Sequence, residues 1–276
     1  MNRIQSETET RSVIDAARAN GFRSVNVDLI YGLPRQTVEG FRATLGKVIA
    51  AAPDRVALYS YAHVPHLFKP QRRIDEATLP KGEEKLAILD LSIETLGRAG
   101  YVYIGMDHFA KPQDELAIAQ REHKLHRNFQ GYSTHGDCDL LAFGISAISK
   151  VGDCYAQNVR TLDEYYARVD ARSLPVLRGV SLDADDLLRR DVIQTLMCDF
   201  ALDCKSIEVK YEIRFGEYFS AELASLRSLA ADGLLELSRD AIRVTSRGRL
   251  LVRNVAMVFD RYLREQRERA KYSRVI

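Results

Sequence analysis

Short apolar runs alternate with stretches of helical period along the first half of the chain. Ser6 followed by Glu9 is a capping box, and the pattern after it predicts a helix to about Asn20, with Gly21 as its stop. Val25, Val27, Leu29 and Ile30 then form a run rich in β-branched residues, which Gly32 and Pro34 end sharply. That run reads as a buried parallel strand feeding a turn. A helix over 38–52 closes before Pro53, and a second strand covers 55–61. Leu86, Leu89, Ile93 and Leu96 place one apolar face on a helix over 83–99, with Gly100 as its stop. A third strand over 101–106 and a helix over 114–124 follow. A polar loop rich in Gly, Asn and Asp then runs to Asp139, and a fourth apolar run covers 140–148.

Strand and helix alternating at this spacing predict parallel βαβ units. About four strands are present, half of what a closed eight-fold barrel needs. The fold class expected is therefore α/β, the C-terminal part of an incomplete (β/α) barrel, with a strand edge and apolar surface uncovered. The pattern changes after Gly152, which divides the chain into a barrel half over 1–152 and a mostly helical domain over 153–276. Thr161 and Glu164 form a second capping box, opening a helix to about Arg172. A helix over 185–200 carries a stripe at Leu188, Val192 and Leu196, continued by Phe200, and another helix covers 215–231. Two short strands, 234–237 and 242–244, flank a tight turn at Arg239 and Asp240, and a last helix begins near Ser246. Helices, a β-hairpin and a further helix suggest a winged-helix-like module.

Composition narrows the partners more than the chemistry. A net charge of +2 gives no strong pull toward nucleic acid or anionic lipid. No apolar run approaches the length of a membrane helix and no signal peptide is visible, so the expected location is cytoplasmic. Cys138, Cys154, Cys198 and Cys204 are the four cysteines, and none stands in a CxxC or CxxxCxxC pattern. Reduced, mostly buried thiols are the expectation. His135, Asp137, Cys138 and Asp139 crowd one short loop that would strain to close a tetrahedral site, so no metal site is assigned there. Single histidines such as His63, His108 and His126 read as surface or hydrogen-bonding residues.

Asp28 stands out because it lies inside an apolar strand. Burying a bare carboxylate costs several kcal/mol unless it is paired or hydrogen-bonded. A donor beside Asp28 is therefore expected, either a protein group or a ligand hydroxyl.

Five blocks carry a resemblance. They are NVDLIYGLPRQT (26–37), YAHVP (61–65), GYVYIGMDHFAKPQDELAIAQ (100–120), LHRNFQGYST (125–134) and AISKVGDCYAQN (147–158), with SRVI closing the chain (273–276). In this order they resemble oxygen-independent coproporphyrinogen III oxidase, a family of radical S-adenosylmethionine (SAM) enzymes. The resemblance implies an oxidoreductase of heme biosynthesis that converts propionates of coproporphyrinogen III to vinyl groups, giving protoporphyrinogen IX. It implies two SAM molecules and a [4Fe–4S] cluster, whose three thiolates come from a CxxxCxxC motif in an N-terminal half. That motif is missing here. The expected state is a C-terminal fragment without activity of its own, with the N-terminal barrel half as an implied partner and no assigned electron donor or acceptor.

The same resemblance assigns residues. Asp28 matches a SAM-binding aspartate, Ala62 a position where strand backbone meets SAM, Ile148 an apolar SAM contact, and Arg3 a SAM-binding arginine. Gln130, with its neighbours over 127–132, belongs to a loop beside the substrate cavity. No catalytic base is assigned. A noncatalytic SAM- or tetrapyrrole-binding fragment is the alternative, and a winged-helix DNA-binding protein a more distant one.

Overall fold

The computed structural model describes residues 5–136 and 138–265. Their contacts fall into two compact units, one up to Glu122 and one over His123–Glu265. This break lies ahead of the change of pattern read at Gly152.

The first unit opens on α1 (Glu7–Ala19), whose capping box is formed: the Glu9 amide donates to Ser6 Oγ at 3.1 Å, and the Ser6 amide to Glu9 Oε2 at 2.8 Å. β1 (Asn26–Tyr31), α2 (Val38–Ala51) and β2 (Arg55–Ser60) make one βαβ unit, with β1 and β2 parallel. After α3 (Gly82–Arg98) come β3 (Val102–Gly105), β4 (His108–Ala110) and α4 (Glu115–Arg121). The sheet order is β1-β2-β4-β3. The expected parallel βαβ pattern holds for β1 and β2 but not beyond them, because β4 folds back antiparallel and takes the place beside β2. Met106, with φ at +52°, turns the chain tightly after β3, and so a hairpin replaces a crossover.

The sheet has two unlike faces. Val27, Leu29 and Tyr31 of β1 alternate with Asn26, Asp28 and Ile30. Of the first set, Leu29 and Tyr31 join Val56, Leu58 and Phe109 with Phe41 and Leu45 of α2 and Ile88, Leu91 and Leu96 of α3, forming the core. Leu86 of the predicted α3 stripe is exposed instead. Gly32 follows β1 at φ +84°, a left-handed conformation that selects glycine.

Asp114 ties the unit together at the foot of the second face. It caps α4 through the Leu116 amide at 2.9 Å, and it accepts from Ser24 Oγ at 3.0 Å and from Arg55 Nε at 2.8 Å. Its side chain is 3% exposed and that of Arg55 21%, so the pair is largely shielded from water.

In the second unit, β5 (His126–Asn128) and β6 (Gly131–Ser133) form a hairpin inside the segment read as a polar loop. The apolar run over 140–148 is not a strand. Leu140 makes a single bridge to Lys150, and Gly144 and Ser146 adopt positive φ. The strands lie later: β7 (Ile148–Val151), β8 (Cys154–Asn158) and, after α5 (Leu162–Asp170), β9 (Val176–Ser181) form an antiparallel sheet in that order. Thr161 sits at the α5 N-cap without a side-chain hydrogen bond, so the predicted capping box is not made.

The rest runs as a helix, a strand, three helices, two strands and two further helices. It comprises α6 (Ala184–Asp199), β10 (Ala201–Asp203), α7 (Cys204–Tyr211), α8 (Phe215–Tyr218), α9 (Ser220–Ala231), β11 (Leu235–Leu237) and β12 (Ala241–Val244), then α10 (Val252–Met257) and α11 (Arg261–Glu265). The three strands pair as β10-β12-β11: β11 and β12 form the expected hairpin of the winged-helix-like module, and β10 adds a third strand that was not expected. The predicted helix over 215–231 is broken at Phe219, which is fully buried with its ring 4.8 Å from Phe215 and 5.3 Å from Phe259. Aromatic packing overrides helix continuity there.

Arg261 holds the N-terminus of α6, reaching Asp183 at 2.7 Å, Asp185 at 2.8 Å and Asp186 at 3.0 Å. The Arg261 hydrogen bond holds the Asp183 carboxyl below its ordinary pKa. At Asp185 burial pushes upward, but bonds from Tyr218, Arg189 and Arg261 outweigh it, and the net displacement is downward.

Two outcomes are expected. Arg55→Met leaves Asp114 buried without its cation and costs about 3 kcal/mol in urea denaturation, whereas Arg98→Ala, which removes an exposed pair with Glu94, costs less than about 0.5 kcal/mol. Carboxyls with depressed folded pKa values stabilise above their unfolded value, near 4, and lose that contribution as pH falls through the folded value. Wild type and Arg261→Gln therefore differ in thermal midpoint at pH 7 and converge as pH falls through the depressed folded values of Asp183 and Asp185.

Candidate functional site

The second face of the first sheet carries the residues that the core does not use. Asn26, Asp28 and Ile30 lie beside Arg55, Ala57 and Tyr59, and His108 follows across from Ala57. Ile30 is 43% and Tyr59 37% exposed. Tyr59 meets the His108 ring edge-on at 6.1 Å between centroids.

Asp28 is exposed, not buried as its apolar neighbours suggested. The donor it was expected to need is present: Asn26 Nδ2, two residues back on the same face, at 2.6 Å. The period of two explains the misreading, because the apolar run supplies both a core face and an accessible one. Asp28 Oδ1 is thus engaged by Asn26, on an open surface flanked by Ile30 and Tyr59.

Ala62 lies two residues past the end of β2, in exposed loop rather than strand. Its carbonyl accepts from Gln71 Nε2 at 3.1 Å. The Tyr61 amide still donates to the Tyr31 carbonyl at 2.7 Å, which keeps this segment beside the carboxyl end of β1. Carboxyl ends of parallel strands are where ligands bind in α/β sheets. His63 is held by Tyr61 Oη and by Glu76, each at 3.2 Å. Asp28 and Ala62 therefore share one unit. Arg3 lies outside the described residues.

The other predicted residues belong to the second unit. Gln130 sits in the β5–β6 turn, where its amide donates to Asn128 Oδ1 at 2.9 Å. It lines a cavity of about 480 Å³ with Arg127, Phe129, Lys150, Tyr155 and Gln194, a volume in the small-molecule range. Gln194 of α6 fixes the hairpin, accepting from the Arg127 amide at 3.2 Å and donating to its carbonyl at 2.5 Å. The Phe129 and Tyr155 rings meet edge-on at 5.4 Å.

Ile148 begins β7 opposite Gln157, and Lys150, two residues on, is opposite Tyr155. Ile148 therefore lies on the sheet face that presents Lys150 and Tyr155 to the cavity. The structure brings Gln130 and Ile148 to one neighbourhood through the Phe129–Tyr155 contact. Lys150, Tyr155 and Gln194 were not singled out from the sequence. The two-residue spacing from Ile148 to Lys150 within AISK was a usable signal for the first of them. Gln194 lies too far along the chain to be found by pattern.

The side chains can be tested against two cofactors. An exposed carboxylate beside Ile30 and Tyr59 fits hydroxyl or ammonium groups and a flat ring of a nucleoside such as that of SAM. The cysteines do not fit an iron–sulfur cluster. Burial raises the thiol pKa of Cys198 to about 12 and of Cys204 to about 11, opposite to what thiolate ligation needs. Cys138 and Cys154 are exposed. Among the described residues no set of three His, Cys, Asp or Glu side chains comes together to hold a metal. Nor is any helix among them long and apolar enough to cross a membrane.

Comparison with known proteins converges on one group. The family model of the HemN C-terminal domain matches residues 182–251, the helix-and-hairpin module. The oxygen-independent coproporphyrinogen III oxidase of Escherichia coli K12 is 50% identical over 276 residues, covering 100% of this chain and 60% of the relative. That of Pseudomonas aeruginosa is 49% identical with the same coverage. The chain thus spans about 60% of the length of these relatives. The solved E. coli coproporphyrinogen III oxidase HemN, described as a radical SAM enzyme, superposes with a TM-score of 0.92 at 51% identity, covering 95% of this chain and 60% of that one. In Thermostichus vulcanus an oxygen-independent coproporphyrinogen III oxidase is 51% identical over 267 residues, which cover 82% of it. With half of its positions shared along nearly all of its length, and with most of one relative spanned, the chain belongs to the oxygen-independent coproporphyrinogen III oxidase family.

Proposed function

We propose that this chain is the C-terminal portion of a radical SAM enzyme that oxidatively decarboxylates propionates of coproporphyrinogen III to vinyl groups in heme biosynthesis. The observation that carries this reading is identity at about half of all positions with relatives bearing that name, along the whole chain. The open sheet face that displays Asp28 supports it.

Asp28 would accept hydrogen bonds from SAM, with Asn26 holding its carboxylate in place and Ile30 and Tyr59 covering the nucleoside from water. Ala62 would add a backbone contact beside Asp28, Ile148 of the second unit an apolar contact to a SAM molecule, and Arg3 a cation for a carboxylate. Two SAM molecules per enzyme are part of the proposal. Gln130 and the cavity behind it would meet the tetrapyrrole. SAM with a [4Fe–4S] cluster supplies one-electron hydrogen abstraction when both are bound, and the protein's part is placement and exclusion of water.

The cluster ligands are not among these residues, since no CxxxCxxC motif occurs in the sequence. They would come from an N-terminal barrel half, the implied partner. The enzyme would work in the cytoplasm, where its thiols stay reduced. A noncatalytic SAM- or tetrapyrrole-binding role is the second reading, favoured by the same missing motif.

Anaerobic reconstitution with iron and sulfide checks this directly. The chain alone is expected to hold no stoichiometric cluster and to form no vinyl product, and co-expression with a segment carrying CxxxCxxC is expected to restore both. A stoichiometric cluster with product from this chain alone, or no product after complementation, would overturn the proposal.

A further inference from the structure

The cavity beside Gln130 is lined by two cations that make no ion pair among the described residues. Arg127 and Lys150 both line it, both half-buried. Among the described residues neither has an acidic side chain within ion-pair distance, in a chain where most other half-buried arginines do. Arg55, Arg189 and Arg261 each reach at least two carboxylates. The Arg127 Nε is buried and makes no hydrogen bond. Its guanidinium lies 5.7 Å from the centre of the Tyr132 ring, a contact that uses none of its N–H donors.

Burying a donor of a charged group without a partner is costly. A cavity lined by two cations, one of them with a buried donor unpaired, is suited to an anion. Among the described residues the carboxylate lining it is Asp139, whose Oδ1 is engaged by the Gly152 amide at 2.8 Å. The flat Phe129 and Tyr155 rings at the wall suit an aromatic heterocycle next to the charge. About 480 Å³ admits one pyrrole with its side chains rather than a whole macrocycle.

We propose that this cavity binds a carboxylate arm of the substrate, with the Arg127 fork and the Lys150 ammonium clasping one propionate while Phe129 and Tyr155 flank its pyrrole. Arg127 supplies paired N–H donors that match a carboxylate in geometry, and Lys150 supplies a point charge. The identity of the acid as a tetrapyrrole propionate rests on the function proposed above; the anion site itself does not.

The test uses the purified chain with two probes, coproporphyrin III followed by fluorescence and propionate followed by saturation-transfer NMR. Arg127→Lys, Arg127→Gln and Lys150→Gln are compared with wild type, and the tetramethyl ester of coproporphyrin III serves as the uncharged control. Lys150→Gln sits on a half-exposed strand position and keeps the comparison interpretable if an Arg127 variant fails to fold. Each variant is expected to bind the acid about tenfold more weakly, with ester affinity unchanged. Acid binding by wild type that none of the variants weakens overturns the inference and leaves the functional proposal standing. Propionate binding lost in the variants, with no coproporphyrin III bound by wild type, supports the anion site and counts against the tetrapyrrole reading. Binding of neither probe by wild type overturns both.

Discussion

The period-two alternation of β1 is the constraint on which the rest of the first unit depends. One strand must pack Leu29 and Tyr31 into the core formed with α2 and α3 while presenting Asn26, Asp28 and Ile30 on the opposite face. A one-residue slip in its pairing with β2 would reverse both sets, putting a carboxylate into the core and apolar side chains into water. The register Asp28↔Ala57 is thus fixed by core packing, and the accessible face follows from it. Asp114 and Arg55 then anchor the same sheet at its foot, where β2 meets the N-terminus of α4.

Much of the fold could be read from the sequence. The α1 capping box, the first βαβ unit and the α6 stripe of Leu188, Val192 and Leu196 all stand as expected, because each is a local signal with a local cause. The failures come where long-range packing decides. The tight turn at Met106 makes a hairpin and inserts β4 between β2 and β3, which no periodicity reveals. Phe219 breaks a helix to enter an aromatic cluster with Phe215 and Phe259, two partners that pattern cannot bring together. The strands β5 to β9 are short and carry mixed polar sequence, so that His126–Asn128 and Cys154–Asn158 pass for loop.

The candidate sites were legible to a different extent. Asp28 was found for its chemistry, yet its setting was misjudged, since an apolar run on a half-covered sheet does not bury every residue in it. Gln130 and Ile148 came from family resemblance alone. The structure adds a reason for considering them together, as Phe129 and Tyr155 bridge the hairpin of one to the sheet of the other. Arg127 and Lys150 acquire meaning only from what surrounds them. A cation without a carboxylate is a property of three-dimensional neighbours, and sequence does not display it.

The sheet face bearing Asp28 is most directly tested by calorimetric titration of S-adenosylmethionine into the complemented protein, comparing wild type with Asp28→Ala. Because Asp28 is exposed and remote from the core, the substitution should leave the thermal midpoint unchanged while weakening SAM binding about tenfold or more. Equal affinity in the two proteins would contradict the assignment of this face to the cofactor.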